Sequence, residues 1–139
     1  MQADNRSPIR VGIVDDHLVV RQGLRQYLAD FGDIALVGEA ADGVEALALL
    51  ADTPVDVLLL DLAMPRKNGL DVLPEIIGQY PATRMIILTG CPKSHYAEEA
   101  KRRGAAAYLH KECEPLAIIT AIRAAGSARD GAANEAAFD

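Results

Sequence analysis

The sequence predicts an α/β fold of three layers, in which a doubly wound parallel sheet of five strands lies between two layers that share five helices. Short runs rich in Val, Ile and Leu alternate along the chain with segments of helical period, an order typical of a parallel sheet with crossover helices. The run Val57–Leu60 is apolar at every position, as a strand with helices on both of its faces must be.

Acidic residues separate the first strand from the first helix. Ile9–Val14 is the predicted strand, and Asp15 and Asp16 follow it directly. The helix after them is predicted from apolar residues on one face, namely Val20, Leu24, Leu28 and Phe31. A second strand over residues 34–38 leads to a helix that ends before Pro54. The predicted apolar positions of that helix are Val44, Leu47, Ala48 and Leu50.

The second half of the chain repeats the alternation of strands and helices. The predicted elements are a helix over residues 70–80, a strand over 85–89, a helix over 94–103 and a strand over 106–109. Gly104 is expected to end the second of these helices. Pro115 begins the last helix, whose apolar residues are Leu116, Ile118, Ile119 and Ile122.

A single domain is expected over residues 8–127, because 139 residues, half of them apolar, can bury one core but not two. Residues 128–139 are rich in Ala and continue no apolar pattern, so we expect a frayed tail or a truncated linker there.

The composition excludes several classes of function. The 14 basic and 20 acidic residues give a net charge of -6, so we expect no direct contact with nucleic acid. No apolar run approaches the length of a membrane span, and the first residues lack the pattern of a leader peptide. Cys91 and Cys113 suit unpaired, small hydrophobic residues in a reducing cytoplasm.

Polar residues follow or end four of the five predicted strands. Asp15 and Asp16 follow the first strand, Asp61 the third and Lys111 the fifth, and Thr89 ends the fourth. Because the carboxyl ends of parallel strands meet at one edge of a sheet, we expect these side chains to lie together. Carboxylates at short range raise one another's pKa unless a cation screens them, and a set of oxygen ligands favours Mg²⁺. The sequence therefore predicts a magnesium site with a carboxylate nucleophile for phosphorus.

Simpler explanations compete at each of these positions. Asp15 alone is equally well explained as a helix cap, whereas Asp61 precedes no helix that it could cap. Thr89 and Lys111 point to a function only through their joint placement. His17 is expected in the first turn of a helix, and not as a metal ligand.

Four short motifs together resemble the receiver domain of bacterial response regulators, over about residues 9–125. The motifs are Asp15-Asp16-His17, Asp61-Leu62-Ala63-Met64-Pro65 with Gly69, Leu88-Thr89-Gly90 and Tyr108-Leu109-His110-Lys111. The resemblance implies the flavodoxin-like, CheY-like form of the predicted fold. Residues 36–47 resemble the subfamily whose receivers usually precede a LuxR-type helix-turn-helix output domain, which implies transcription regulation.

The resemblance also implies a phosphoacceptor and a metal site. Asp61 corresponds to the residue that takes the phosphoryl group. Asp16, Asp61 and the backbone carbonyl of Ala63 correspond to the ligands of Mg²⁺, and Asp15 would act through a bound water.

The remaining implied roles belong to a conformational switch. Thr89 and Lys111 would bind the phosphoryl group, and Tyr108 would move inward behind Thr89. That motion would reshape the face made by the fourth helix, the fifth strand and the fifth helix. The implied partners are a histidine kinase as phosphodonor, an output domain or partner protein on that face, and a second copy of the phosphorylated chain.

Two further positions bear on the lifetime of the phosphorylated state. Ala63 and Cys91 lie two residues after Asp61 and Thr89, where the family has a gate beside the attacking water. Neither side chain orients water well, so we expect slow hydrolysis.

Other functions stay open at this point. A phosphatase of the haloacid dehalogenase type would need a second Asp where Ala63 stands. A carrier of flavin mononucleotide would need a hydroxyl-rich phosphate loop, whereas Asp15 and Asp16 would repel a phosphate. A degenerate receiver would bind partners without phosphorylation, although every expected site residue is present. The chain could be a stand-alone receiver or part of a longer protein.

Overall fold

The computed structural model of the protein describes residues 7–64 and 67–127, and strands and helices alternate through these ranges as predicted. The strands are β1 (Ile9–Val14), β2 (Ile34–Ala40), β3 (Val57–Leu60), β4 (Arg84–Thr89) and β5 (Ala107–His110). The helices are α1 (Leu18–Leu28), α2 (Gly43–Asp52), α3 (Gly69–Gln79), α4 (Lys93–Arg102) and α5 (Pro115–Ser127). Pro65 and the predicted tail, residues 128–139, lie outside the described residues.

The described strands form one parallel sheet in the order β2-β1-β3-β4-β5. β3 lies at its centre, and all four residues of β3 are buried. Val57 and Leu59 belong to one apolar cluster, whereas Leu58 and Leu60 belong to another, because successive side chains of a strand face opposite sides. The sheet therefore has a core on each face, and the predicted doubly wound α/β fold is confirmed.

Helices cover both faces of this sheet. α1 and α5 contribute to one core through residues such as Leu28 and Ile122. α2, α3 and α4 contribute to the other core through Ala46, Val72 and Ala100. Each helix begins after a strand has ended, so the helix N termini surround the carboxyl edge of the sheet. No helix in the described ranges is long and apolar enough to cross a membrane.

The edge strand β2 pairs irregularly with β1. The register shifts after Val11, which leaves Val37 as an extra residue in a β-bulge. Past the bulge, Glu39 forms ion pairs with Arg25 at 2.7 Å and with Arg21 at 3.1 Å. The hydrogen bond from Arg25, supported by Arg21, holds the pKa of the Glu39 carboxyl below its ordinary value. These contacts fasten α1 to the edge of the sheet.

The predicted element boundaries are close to the observed ones. β2 continues to Ala40, two residues beyond its predicted end at residue 38, and β5 includes His110. Gly104 follows α4 with a φ of 107°, the left-handed conformation that glycine adopts without strain, as predicted for the end of this helix.

The predicted apolar faces of three helices were wrong in part. α1 ends at Leu28, so Phe31 lies beyond the helix, in a turn where its N–H donates to the Leu28 carbonyl at 3.1 Å. Val44 and Leu116 are 47% and 62% exposed, and Ala48 is exposed as well. α2 carries apolar residues on nearly every side, so only its contact with the sheet decides which face is buried. The buried residues of α2 are Gly43, Ala46 and Leu50.

Candidate functional site

The carboxyl edge of the sheet brings together the acidic side chains that the sequence analysis singled out. Asp15 follows β1 and is 3% exposed, and Asp61 follows β3 and is 2% exposed. Asp16 and His17 lie beside them, and each of the four side chains offers a potential ligand atom within 4.8 Å of the others. The donor set is rich in carboxylate oxygens, so it fits a hard divalent cation.

Asp61 is oriented by the sheet and by three neighbouring groups. Its backbone N–H donates to the Val14 carbonyl at 2.9 Å, which continues the pairing of β3 with β1. The Thr89 hydroxyl donates to Oδ1 at 2.6 Å, and the Ala63 N–H donates to the same oxygen at 3.3 Å. Lys111 Nζ donates to Oδ2 at 3.2 Å. Both carboxylate oxygens of Asp61 therefore have donors, which hold the side chain in one orientation.

Lys111 links the two buried carboxylates. Its Nζ lies 2.8 Å from Asp15 Oδ2 and 3.2 Å from Asp61 Oδ2. Burial by itself lowers the pKa of the Lys111 ammonium, but the hydrogen bond to Asp15 and the charges of both carboxylates raise that pKa more, to above its ordinary value of 10.5. Lys111 is therefore charged at neutral pH and offsets part of the negative charge at the site.

Glycine at position 69 lets the start of α3 approach the backbone of the candidate acceptor. The Gly69 N–H donates to the Leu62 carbonyl at 2.9 Å. A Cβ at position 69 would overlap the Asp61 carbonyl oxygen and would lie 2.8 Å from Leu62 Cα. Asn68 caps α3 by accepting the Asp71 N–H at 3.0 Å. The helix start thus holds the turn that carries Asp61.

Thr89 and Tyr108 are connected through the backbone of Cys91, in the loop after β4. The Cys91 N–H donates to the Thr89 hydroxyl at 3.4 Å, and the Tyr108 hydroxyl donates to the Cys91 carbonyl at 3.0 Å. Tyr108 is 2% exposed, and burial, followed by the charges of Cys91, Tyr96 and Asp61, raises its pKa to about 12. Its phenol is therefore neutral across the physiological range.

Comparison with known proteins assigns the chain that carries this site to a family. Residues 11–123 match the family described as the response regulator receiver domain, which covers most of the chain. The chain belongs to this family.

Relatives of this receiver domain include transcriptional regulators. It is 40% identical over 111 residues to the uncharacterized transcriptional regulatory protein YhcZ of Bacillus subtilis, and the aligned residues cover 80% of this chain and 52% of YhcZ. It is 32% identical over 123 residues to the nitrate/nitrite response regulator protein NarL of Escherichia coli, and the aligned residues cover 88% of this chain and 57% of NarL. The receiver domain thus spans about half the length of the curated relatives it matches.

Solved structures support the same assignment. A two-component response regulator of the LuxR family from Aurantimonas sp. SI85-9A1 has a TM-score of 0.83, 34% identity, and coverage of 88% of both chains. The signal receiver domain of the putative response regulator NarL from Mycobacterium tuberculosis also has a TM-score of 0.83, at 31% identity, over 89% of this chain and all of that one. The expected likeness to receivers of the LuxR-type subfamily is therefore confirmed.

Tyr108, the residue expected to move inward behind Thr89, is buried in this receiver domain. The other positions of the expected switch and gate differ in exposure. Thr89 is fully buried, Ala63 is exposed and Cys91 is half-buried. Thr89 and Ala63 thus contact Asp61, and Cys91 links Thr89 to Tyr108, while the expected roles of these residues stay predictions.

His17 is the site residue to which the sequence analysis gave no role. Its Nδ1 lies 2.8 Å from Asp15 Oδ1 and 3.2 Å from Asp16 Oδ1. It precedes α1 as the N-cap residue, and its side chain makes no capping hydrogen bond. Direct adjacency to the Asp15-Asp16 pair was the only signal in the sequence, and adjacency alone does not determine where a ring points.

Arg21 was also not identified from the sequence. Its Nη1 donates to the Asp15 backbone carbonyl at 2.6 Å, while its Nε contacts Glu39 at 3.1 Å. Arg21 therefore links the turn that carries Asp15 and Asp16 to the neighbouring edge strand β2. This link helps to fix the orientation of the turn.

Proposed function

We propose that this receiver domain is a phosphorylation-controlled switch in which Asp61 accepts a phosphoryl group from a histidine kinase. The observation that carries the proposal is the pair of donors on Asp61. Thr89 and Lys111 contact its two carboxylate oxygens at 2.6 and 3.2 Å, at the edge where Asp15 and Asp16 also lie. Groups that now bind the carboxylate would be in place to bind the oxygens of a phosphoryl group attached to it.

The proposed cofactor is Mg²⁺. Asp16, Asp61 and the backbone carbonyl of Ala63 would hold the ion, and Asp15 would act through a water molecule. All three carboxylates lie in the cluster whose ligand atoms are within 4.8 Å of one another. When bound, Mg²⁺ would neutralise charge on the transferring phosphoryl group.

The residues of the chain have separate tasks in the proposed transfer. An oxygen of Asp61 forms a bond to phosphorus while the bond from phosphorus to the nitrogen of the donor phosphohistidine breaks. Lys111, kept charged by Asp15 and Asp61, binds a phosphoryl oxygen. Thr89 donates its hydroxyl to another phosphoryl oxygen, and its contact with the backbone N–H of Cys91, whose carbonyl accepts from Tyr108, would carry that change to Tyr108.

The proposed output is a change in the surface formed by α4, β5 and α5. Several relatives are named as transcriptional regulators and are about twice as long as the matched region, which supports an attached output domain. The similar LuxR-family response regulator from Aurantimonas supports the LuxR type for that domain. We propose that this face controls such a domain or a partner protein, with a phosphorylation-dependent homodimer as one form of output. The receiver domain itself would contact no nucleic acid, and it would work in the cytoplasm.

The proposed chemistry is limited to the chain itself. The receiver domain would catalyse its own phosphorylation and a slow hydrolysis of the product, without turnover of an external substrate. Ala63 stands where a phosphatase of the haloacid dehalogenase type would need a second Asp, which supports this limit.

Asp61→Asn tests the proposal directly. Wild-type protein incubated with acetyl phosphate and Mg²⁺ should gain the mass of one phosphoryl group, whereas Asp61→Asn should gain none, because an amide is a far poorer nucleophile than a carboxylate. The exposed Asp52 at the end of α2 offers a matched control, and Asp52→Asn should be phosphorylated like wild type. A phosphoryl group on the Asp61→Asn protein would contradict the assignment.

A further inference from the structure

A proline inside α3 leaves one carbonyl of this helix without its helical donor. In an α-helix, the N–H of each residue donates to the carbonyl four residues earlier. Pro74 lies inside α3 and has no N–H, so the carbonyl of Leu70 lacks that donor. The Leu70 carbonyl accepts instead from Nη1 of Arg103, the residue that ends α4, at 2.8 Å. A side chain of α4 therefore completes the hydrogen bonding of α3.

The end of α4 meets α3 at two further points. A Cβ added at Gly104 would overlap Ile77 Cδ1, so the turn after α4 packs closely on α3. Nη1 of Arg103 also lies 3.8 Å from Asp71 Oδ1 of α3. The guanidinium is held within its own helix as well, since Nε donates to Glu99 at 2.6 Å. The fork of donors on a guanidinium thus lets Arg103 bind both helices at once.

The first turn of α3 also contacts the turn that carries Asp61. The Gly69 N–H donates to the Leu62 carbonyl at 2.9 Å, and Leu70 is the next residue of the helix. We propose that Arg103 is a positioning residue of the switch, through which a shift of the Asp61 turn passes from the first turn of α3 to α4. This inference rests on the phosphorylation of the proposed function and adds a second route from the acceptor to the output surface.

The two routes reach opposite ends of α4. The Tyr108 hydroxyl donates to the Cys91 carbonyl at 3.0 Å, in the loop just before α4 begins. Arg103 follows the last residue of the same helix. Because α4 is contacted at both ends by groups that lead back to Asp61, phosphorylation would shift the helix as a unit, and loss of either contact would weaken that shift.

A double-mutant cycle tests the hydrogen bond between the helices. Pro74 is exposed, so Pro74→Ala leaves the core unchanged and returns a helical donor to the Leu70 carbonyl. Arg103→Gln should lower the urea midpoint at least about twice as far in the wild-type background as in the Pro74→Ala background. The contacts of Arg103 with acidic residues are lost equally in both backgrounds and cancel. An equal fall in the two backgrounds would overturn the proposal.

Hydrogen–deuterium exchange of α4 tests the coupling to Asp61. With acetyl phosphate and Mg²⁺, the exchange of peptides that cover α4 should change in wild type, and Arg103→Gln should show less than about half of that change. Intact mass should show the same gain of one phosphoryl group in both proteins. Arg102 provides the matched control, because it also pairs with Glu99 but its side chain is 68% exposed. Arg102→Gln should respond to phosphorylation like wild type.

The outcomes separate this inference from the proposed function. A full response of α4 in phosphorylated Arg103→Gln, or an equal loss of response in Arg102→Gln, would overturn the role of Arg103. Failure of Arg103→Gln to take the phosphoryl group would overturn it too, since the residue is proposed to pass on a change and not to build the acceptor. In each of these cases a phosphorylated wild-type protein leaves the proposed function standing. If wild type takes no phosphoryl group, the proposed function and this coupling both fail.

Discussion

Replacement of Gly69 by alanine should damage both the fold and the candidate site, because the obstacle is backbone. The new Cβ would overlap the Asp61 carbonyl oxygen and would lie 2.8 Å from Leu62 Cα, where ordinary contact begins at 3.4 Å. To reach ordinary contact, the start of α3 and the Asp61 turn must separate by about the 0.6 Å between those two distances. A flexible side chain could swing away, but a carbonyl and a Cα can only move with the chain.

The expected cost can be compared with a second glycine in the same helix. Overpacking costs about 1–3 kcal/mol, and the better helix propensity of alanine returns up to about 1 kcal/mol, so Gly69→Ala should destabilise the fold by roughly 1–2 kcal/mol. A Cβ added at Gly78 would meet no atom within 4 Å beyond its own stretch of helix, so Gly78→Ala should instead stabilise by about 0.5–1 kcal/mol.

Urea unfolding of the three proteins, followed by circular dichroism, measures this difference. The midpoint should fall for Gly69→Ala and rise for Gly78→Ala, with similar slopes. Phosphorylation by acetyl phosphate should slow on the order of tenfold in Gly69→Ala alone, since a displaced nucleophile loses alignment. A Gly69→Ala protein as stable and as reactive as Gly78→Ala would refute the close contact between α3 and the Asp61 turn.

Three further predictions concern the same edge of the sheet. Decay of the phosphorylated protein, followed by intact mass, should be faster in Ala63→Asn with Cys91→Glu than in wild type, because polar side chains can position the attacking water; unchanged or slower decay would exclude the gate. Mg²⁺ should raise the melting temperature of wild type by binding the native state, whereas Asp16→Ala should be more stable without metal and show no Mg²⁺ effect. Equal Mg²⁺ shifts in the two proteins would argue against Asp16 as a ligand. Ultraviolet titration should reveal one tyrosine that ionises near pH 12 and is missing in Tyr108→Phe, since burial raises the pKa of Tyr108 to about 12; an unchanged titration curve would place that group elsewhere.

The parts of the site that lie at strand ends could be predicted from the sequence. Val57–Leu60 is apolar throughout, which identifies a central strand, and a parallel sheet sends the carboxyl ends of its strands to one edge. Asp15, Asp61, Thr89 and Lys111 then had to lie near one another, whatever the details of packing. Topology alone was sufficient for this part of the prediction.

The parts that depend on the direction of a side chain or on the phase of a helix could not be predicted in this way. His17 follows the acidic pair in the chain, but only the turn before α1 directs its ring back onto that pair. Val44 and Leu116 follow an apolar pattern and are nevertheless exposed, because neighbouring positions are apolar too and contact with the sheet selects among them. Arg21 reaches Asp15 across a turn, a contact for which sequence spacing offers no rule.

The two edges of the sheet bear on how copies of this chain can associate. An open edge with free N–H and C=O groups can recruit a strand from another molecule, which is a common route to aggregation. Here one edge, β2, is interrupted by the bulge at Val37 and carries Glu39 paired with arginines, and the other, β5, has only four residues. Neither edge offers a long, regular template for strand addition. Ordered assembly of this domain should therefore proceed through its helical surfaces, and the native protein should resist growth into sheet-based aggregates.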